Sequence, residues 1–317
     1  MCGIVGLFLK EKRLYPKLGD LLSDMLITLS DRGPDSTGIA VYSAPSKGKI
    51  KLTVQSPKAK SDFSSLVAAL KNGGIKASLE TKNSHAVIKT GAKAKTIREF
   101  LAVNYPDIRV MGVGERVEIY KEVGLPKEVV GRFGIRGMSG SHAIGHTRMA
   151  TESAVTTLGA HPFSTGDDQC LVHNGSLSNH NNLRRRLVRE GMSFETYNDT
   201  EVAAAYLTAE MAKGKNLGDA LKGALDALDG FSRLSSAQSQ ASAWCATQSL
   251  ASPQSWPKPV NTLPSARSIV PSSRFRTLRR HGSGSRSRRL SISGIRRKRR
   301  DCRFTVHQFG NPADANL

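Results

Sequence analysis

Aromatic residues make up only 6% of the 317 residues, and no apolar run is long enough to cross a membrane. The four cysteines, Cys2, Cys170, Cys245 and Cys302, match neither a disulfide framework nor a metal-site spacing. The charged residues at 10–13, three of them basic, cut off the short N-terminal apolar run, and no small-residue cleavage site follows, so we expect no secretory signal. These absences favour a reducing, cytoplasmic location with no membrane partner.

Nucleotide-binding motifs are missing as well. The chain contains neither a Gly-x-x-x-x-Gly-Lys-Ser/Thr loop nor a Gly-x-Gly-x-x-Gly fingerprint. His142 and His146 are four residues apart, as in some zinc sites, but Gly145 lies between them and no Glu completes a His-Glu-x-x-His pattern. We therefore predict no cofactor and no metal.

The net charge of +21 is unevenly distributed. Residues 232–317 contain 16 Lys and Arg against 2 Asp and Glu, whereas residues 1–231 contain 31 against 24. The last part of the chain also holds 17 Ser, and its basic residues are 14 Arg and 2 Lys. Low hydrophobicity combined with high charge predicts a disordered tail over 232–317.

Apolar periodicity predicts an α+β arrangement before that tail. Helices are predicted over 15–29, 126–133, 182–190, 202–211 and 217–228, and strands over 3–9, 39–42, 117–120 and 171–172. Residues 45–112 are predicted to form a separate small α+β module, with helices at 63–70 and 96–103 and strands at 86–88 and 108–111. This module contains no chemical motif.

Cys2 directly follows the initiator methionine, and a small residue at that position permits removal of Met1. An N-terminal cysteine carries a thiol and a free α-amine, and the neutral amine can take the thiol proton, alone or through one water. The strand predicted over 3–9 would hold Cys2 at its end. Taken alone, these residues are also compatible with a chance cysteine in an unstructured terminus.

Further polar motifs cluster between residues 145 and 201. His173-Asn174-Gly175 is predicted to form the turn that ends the strand at 171–172. An amide side chain beside an exposed backbone N–H is what an oxyanion hole requires. Asp199 or Thr200 is the predicted N-cap of the helix at 202–211.

Six segments together resemble a class II glutamine amidotransferase domain. The matching segments are Cys2-Gly3-Ile4-Val5-Gly6, Arg32-Gly33-Pro34-Asp35-Ser36, Gly145-His146-Thr147-Arg148-Met149-Ala150-Thr151, His161-Pro162-Phe163, His173-Asn174-Gly175 and Asn198-Asp199-Thr200-Glu201. They occur in the family's order, and they place the domain at 2–231 with 45–112 as an insertion. Among subfamilies, the chain most resembles the glutamate-synthase-related amidotransferase subunit of N-methylglutamate synthase.

This resemblance implies a four-layer αββα N-terminal nucleophile hydrolase sandwich that hydrolyses L-glutamine to glutamate and ammonia. Cys2 would attack the side-chain amide carbon, with its own amine as the base. Asn174 and the Gly175 N–H would hold the oxyanion of the tetrahedral intermediate.

The resemblance also assigns substrate-binding roles. Arg148 would bind the α-carboxylate of glutamine, because its planar guanidinium suits bidentate pairing. A surface ion pair is the alternative for this arginine. Asp199 would bind the α-ammonium, while Thr151, His161 and His173 would line or support the pocket.

Glutamine hydrolysis normally feeds an acceptor site, and the chain shows no motif for a second catalytic domain. The resemblance therefore implies a partner synthase subunit, of the N-methylglutamate synthase or glutamate synthase type, that receives the ammonia. An amidophosphoribosyltransferase-like amidotransferase is an alternative. Two others are a nucleic-acid-binding protein that uses the basic tail and an inactive, truncated subunit.

Two origins of the tail remain open. The abrupt change from lysine to arginine at residue 232 is what a reading-frame shift would produce in a GC-rich gene. A genuine Arg- and Ser-rich tail would instead bind nucleic acid through phosphates, with residues 296–300 as its core. We favour the frame shift, because the apolar strands expected of the family after 229–231 are missing. The sandwich should then be incomplete at its C-terminal end, and we expect no nucleic-acid partner.

Overall fold

In a computed structural model, the described residues are 2–46, 48–150, 154–238, 241–246, 266–268 and 304–308. They form the strands β1 Gly3–Leu9, β2 Ser36–Tyr42, β3 Ile50–Gln55, β4 Ala77–Lys82, β5 His85–Thr90, β6 Arg109–Gly114, β7 Val117–Val123, β8 His142–Arg148, β9 Phe163–Gly166, β10 Gln169–Leu177, β11 Gly230–Gln238, β12 Ala241–Ala246, β13 Ala266–Ser268 and β14 Phe304–Gln308. The helices are α1 Leu18–Thr28, α2 Ala59–Asn72, α3 Ala94–Asn104, α4 Pro126–Phe133, α5 His180–Arg189, α6 Asp199–Ala212 and α7 Leu217–Ala227. Among the described residues, no helix has the length and apolar character needed to cross a membrane.

Two five-stranded antiparallel sheets form the centre of the fold. The first has the order β13-β1-β8-β2-β7 and the second has the order β14-β12-β11-β10-β9. Their inner faces meet in one buried cluster, where Tyr42 and Ile144 of the first sheet pack with Cys170 and Val172 of the second. Side chains that alternate along each strand allow one face of each sheet to pack against the other.

A helical layer covers the outer face of each sheet. On the first sheet, α1 and α4 bury residues such as Leu22, Leu26 and Phe133 against the strands. On the second sheet, α5, α6 and α7 pack around Leu171 and Leu177 of β10. Because α6 lies between the sheet and the other helices, it is apolar around most of its circumference. The layers therefore follow the αββα order that the sequence analysis predicts.

The segment predicted as an α+β module forms a third sheet of order β4-β5-β3-β6. Helices α2 and α3 cover it with a separate core that includes Leu66, Ile88 and Ile97. The sequence analysis missed β3 and β4, and β6 ends at Gly114, just beyond the predicted limit of the module. β4 is largely exposed, and its weak apolar alternation gives little sequence signal.

The helix predicted over 15–29 is shorter than expected. The chain first forms a 3-10 helix at Lys12–Lys17, which contains Pro16, and α1 begins at Leu18. Since proline has no N–H to donate, it fits the tight leading turn better than the helix interior.

Part of the segment expected to be disordered, residues 232–317, forms strands instead, namely β11, β12, β13 and β14. β11 crosses the predicted boundary at 231 and pairs with the whole of β10, from Gly230 opposite Leu177 to Gln238 opposite Gln169. Ser236 is buried and donates to the Cys170 carbonyl at 2.9 Å. Without β11, β10 would present an unpaired edge of backbone donors and acceptors.

Much of the predicted tail lies outside the described residues, namely 239–240, 247–265, 269–303 and 309–317. The proposed nucleic-acid-binding core at 296–300 is among them. The expected incompleteness of the sandwich stays a prediction.

Candidate active site

Cys2 lies where the ends of three strands from both sheets meet. It precedes β1, whose Gly3 is opposite Thr147 of β8 in the first sheet. Its Sγ lies 3.4 Å from the Met149 N–H nitrogen and 3.7 Å from the Met149 carbonyl oxygen. The Asn174 side chain, on β10 of the second sheet, donates to the Cys2 carbonyl at 3.0 Å. The residues predicted to carry the nucleophile and the oxyanion donor are therefore neighbours, with the Asn174 amide bonded to the Cys2 backbone.

The strand β10 runs straight through Asn174 and Gly175. The prediction of a turn at these residues is therefore wrong, because both continue the ladder with β11, opposite Arg233 and Ser232. Gly175 has a φ of 153°, a region that favours glycine. Asn174 is half-buried and Gly175 is exposed, so this part of the strand faces the open end of the site.

The segment after β8 is anchored by the Arg32-Gly33-Pro34-Asp35 motif. The Asp35 N–H donates to the Arg148 carbonyl at 3.0 Å, and the Asp35 carboxylate accepts from the Ala150 N–H at 2.7 Å. Gly33 has no room for a side chain, because a Cβ there would overlap the Thr147 carbonyl. This motif therefore fixes the backbone on both sides of Met149.

Arg148 ends β8 and is only 6% exposed. Its Nη1 donates to the Ala154 carbonyl at 3.3 Å. Arg148 is therefore buried and not on the exposed surface, while its role in binding glutamine stays a prediction. Thr151, which follows in the same motif, lies outside the described residues.

Three histidine rings and one threonine form a buried cluster beneath this end of the sheets. The His146 and His161 rings stack at 4.2 Å, and His146 Nε2 donates to the His173 carbonyl at 3.0 Å. Thr200 Oγ1 lies 2.8 Å from His161 Nε2 and 3.1 Å from His173 Nδ1. His161 and His173 are 5% and 3% exposed, so both rings are shielded from solvent.

Burial keeps two of these rings neutral. It lowers the pKa of His146 to about 3. It lowers the pKa of His161 well below the usual value, and the neighbouring His146 adds to the effect. Neutral rings can donate through one nitrogen and accept through the other, so each has a defined tautomer. Among the described residues, no group of three His, Cys, Asp or Glu side chains could hold a metal ion.

Asp199 begins α6, but it is not the N-cap. That position belongs to Asn198, whose side chain accepts from the Thr200 N–H at 2.8 Å, which corrects the prediction of Asp199 or Thr200. Because Asn198 caps the helix, the Asp199 carboxylate can accept a hydrogen bond from elsewhere, and it does so from the Leu177 N–H at 2.9 Å. Burial opposes its ionisation, but contacts with His173 and with the Leu177 N–H outweigh that effect and lower the pKa of Asp199.

Lys121 on β7 holds the loop that carries His161. Its Nζ donates to the carbonyls of Leu158 and Ala160 at 3.0 and 2.9 Å. Burial lowers the pKa of Lys121 to about 8, although nearby Glu201 acts in the opposite direction. No sequence motif indicates this role of Lys121, since it depends on contacts between segments that are distant in the chain.

A cavity of about 320 Å³ opens between β6, β9 and residues 191–196. Its lining includes Lys121, Phe163 and Glu201, but not Cys2 or Asn174. The candidate site is therefore defined by its side chains and not by this cavity.

Residues 135–227 match the family model described as "Glutamine amidotransferase domain". The glutamine amidotransferase-like protein GlxB of Rhizobium meliloti is 68% identical over 232 residues, which cover 73% of this chain and 77% of that protein. A glutamine–fructose-6-phosphate aminotransferase of Neisseria meningitidis serogroup A is 30% identical over 231 residues, which cover 73% of this chain but only 26% of that protein. On these similarities, the chain belongs to the class II glutamine amidotransferase family.

Proposed function

We propose that this chain hydrolyses L-glutamine to glutamate and ammonia, with Cys2 as an N-terminal nucleophile once Met1 has been removed. The observation that carries the proposal is the 3.0 Å hydrogen bond from the Asn174 amide to the Cys2 backbone carbonyl, which places this amide beside the residue that carries the thiol and joins the two sheets at one point. An amide donor beside a nucleophile is the arrangement that stabilises a tetrahedral oxyanion.

The reaction would proceed through a thioester. The Cys2 α-amine takes the thiol proton, and the sulfur attacks the amide carbon of glutamine. Asn174 and the Gly175 N–H hold the resulting oxyanion. The Cys2 α-ammonium formed in this way then protonates the leaving nitrogen. This step releases ammonia and leaves the thioester between Cys2 and the glutamyl group. Water then cleaves the thioester to glutamate and returns the proton to the sulfur.

Substrate recognition is assigned to groups around this centre. Arg148 would bind the α-carboxylate and Asp199 the α-ammonium, for which its retained negative charge is suited. His161 and His173, being buried, would support the pocket rather than line it. Thr151 keeps its proposed place in the pocket on the strength of the sequence motif.

A matched pair of cysteine variants tests this function. Cys2→Ala should abolish ammonia release from glutamine, whereas Cys170→Ala should retain it, because the Cys170 thiol is buried beside Tyr42. Mass spectrometry of the purified protein should show that Met1 is absent. Full activity of Cys2→Ala would show that the proposed nucleophile is wrong, and a retained methionine would contradict the proposed base.

We further propose that the ammonia passes to a separate synthase subunit of the glutamate synthase or N-methylglutamate synthase type. The aminotransferase relative supports a separate acceptor site, because the match covers only 26% of that protein. Three-quarters of that relative therefore lies outside the part that resembles this chain.

A further inference from the structure

Thr200 connects three segments of the candidate site through one hydroxyl group. It lies in the first turn of α6 and is 1% exposed. Its Oγ1 is 2.8 Å from His161 Nε2, 3.1 Å from His173 Nδ1 and 3.3 Å from Asp199 Oδ1. These neighbours belong to the loop before β9, to β10 and to α6.

The direction of each hydrogen bond follows from the chemistry of the groups. A hydroxyl donates one proton and accepts up to two, whereas an ionised carboxylate only accepts. Thr200 must therefore donate to Asp199, so His161 Nε2 and His173 Nδ1 must both donate to Thr200. The opposite ring nitrogens, His161 Nδ1 and His173 Nε2, are buried without a hydrogen-bond partner among the described residues. In this arrangement they are bare lone pairs, whereas the reversed tautomers would bury two unpaired N–H groups.

We propose that Thr200 is a positioning residue for glutamine hydrolysis. Its hydroxyl fixes the position of the Asp199 carboxylate relative to β10, the strand that carries Asn174. This inference rests on the function proposed above. A glutamine molecule must place its α-ammonium on Asp199 and its amide at Cys2 and Asn174 at the same time. His173 directly precedes Asn174, and the path Asp199–Thr200–His173 fixes the separation between the two binding points.

The strand is held on its other side as well. The His173 carbonyl accepts from His146 Nε2 at 3.0 Å, while the His173 ring is held by Thr200. Loss of the Thr200 hydroxyl would free one of these two restraints and leave the fold of β10, which is secured by pairing with β11, intact. The expected effect is therefore on alignment of the substrate.

Kinetic measurements with two substrates test this role. Thr200→Val, which replaces the hydroxyl with a methyl group, should lower kcat/KM for glutamine about tenfold or more, and Thr200→Ser should restore most of it. Glutaramate is glutamine without the α-amino group, so it does not use Asp199. We expect the decrease in kcat/KM caused by Thr200→Val to be several-fold smaller with glutaramate than with glutamine. An equal loss with both substrates would indicate a purely structural residue and would overturn the proposal.

Thr208, two turns further along α6, provides the matched control. Its hydroxyl is also bonded to side chains, Gln169 Oε1 at 2.6 Å and Thr165 Oγ1 at 2.8 Å, but these lie away from Cys2. Thr208→Val should leave kcat/KM for glutamine and for glutaramate within about twofold of the wild-type values. If Thr208→Val lowered kcat/KM for glutamine as much as Thr200→Val does, the proposal would be contradicted.

A second measurement does not depend on activity. The groups that face the Asp199 carboxylate are His173 on β10, the Leu177 N–H, His180 on α5 and the Thr200 hydroxyl. Carbon-13 NMR titration, assigned with Asp199→Asn, should show a higher pKa for Asp199 in Thr200→Val, since one donor to the charged form is lost. Thr200→Ala serves if the valine variant does not fold. An unchanged pKa would overturn the proposal, whereas a wild-type protein that releases no ammonia would overturn only the proposed function.

Discussion

Asn174 and Arg148 reach the region of Cys2 from different sheets, and the proposed mechanism gives them different tasks. Asn174→Ala removes an oxyanion donor and should lower kcat by roughly 10²–10³-fold. Arg148→Lys keeps the charge but loses the planar fork, so it should chiefly raise KM for glutamine. Steady-state assays of ammonia release separate the two effects.

Residues of the same types that bond to groups other than Cys2 serve as controls for these variants. Asn179 bonds to the Ala227 carbonyl at the end of α7, and Arg132 lies 3.9 Å from Glu122 on the surface of α4. Asn179→Ala and Arg132→Lys should leave kcat and KM nearly unchanged. If Asn174→Ala altered KM alone and Arg148→Lys altered kcat alone, the binding and catalytic roles would be exchanged.

Short motifs predict most of the residues that the proposed mechanism uses, because each of these residues lies in a segment whose neighbours are also characteristic. Cys2, Arg148, Asn174 and Asp199 each stand within a recognisable segment. The role of Thr200 was missed, since its partners His161 and His173 lie 39 and 27 residues away in the chain. Only the packing of α6 against the second sheet brings these side chains together.

The turn before β2 offers a test of how one element positions the site. Gly33 packs against the backbone of Thr147 and Arg148, where a Cβ would overlap atoms that cannot move aside. Gly33→Ala should therefore destabilise the protein by about 1–3 kcal/mol and reduce glutamine hydrolysis. Urea unfolding and the ammonia assay measure the two effects.

Gly131→Ala is the matched control in this comparison. Gly131 lies in α4, and a Cβ added there would meet nothing within 4 Å. Alanine is the better helix former, so this variant should gain up to about 1 kcal/mol of stability. Equal stability of the two alanine variants would contradict the packing assigned to Gly33.

Amphipathic helices were predicted well from sequence, and the strands around the site were predicted less well. The helix at 126–133 was located at its observed limits, because Pro126 begins it and its apolar spacing is regular. β10 was ended too early, since Asn174 and Gly175 are common in turns but are held here by pairing with β11. β11 itself was missed because its Ser-rich sequence has little strand propensity, and cross-strand hydrogen bonds override that preference.

Buried histidines make the stability of the whole molecule sensitive to acid. Burial lowers the pKa of both His85 and His146 to about 3, and that of His161 well below its usual value. At pH values between about 3 and about 6.5, these histidines are largely protonated in the unfolded chain but neutral in the folded chain, so the unfolded chain binds more protons. The free energy of unfolding should therefore fall as the pH drops below about 6.5, by up to about 1.4 kcal/mol per pH unit for each histidine.

Urea unfolding between pH 5 and 7.5 measures this dependence. His85 packs against the rings of Tyr120 and Phe133, so phenylalanine should fit in its place. His85→Phe should remove the contribution of one histidine to the slope of unfolding free energy against pH. A free energy of unfolding that does not change between pH 7 and 5 would contradict the neutral, buried state of these rings.

The change in lysine and arginine usage at the start of residues 232–317 concerns how much of the family's domain this chain contains. The alignment with the Rhizobium meliloti relative spans 232 residues, which cover 73% of this chain and 77% of that protein. We propose that the reading frame of the gene changes near the codons for 230–233, where the usage of lysine and arginine changes. Restoring one base there should yield apolar strand sequence, and this frame-restored chain is the proper comparison in tests of assembly.

The ammonia released at Cys2 needs an acceptor site, and we expect it on a separate synthase subunit. The isolated chain should show low glutaminase activity, and a co-expressed synthase subunit should raise kcat, because partner contact can close the glutamine pocket over Cys2 and Asn174. Co-purification and ammonia assays should compare this chain with the frame-restored one, with Cys2→Ala in each complex as the background. If the frame-restored chain bound no synthase subunit and by itself transferred the amide nitrogen of glutamine to an acceptor, the assignment to a two-subunit synthase would be wrong.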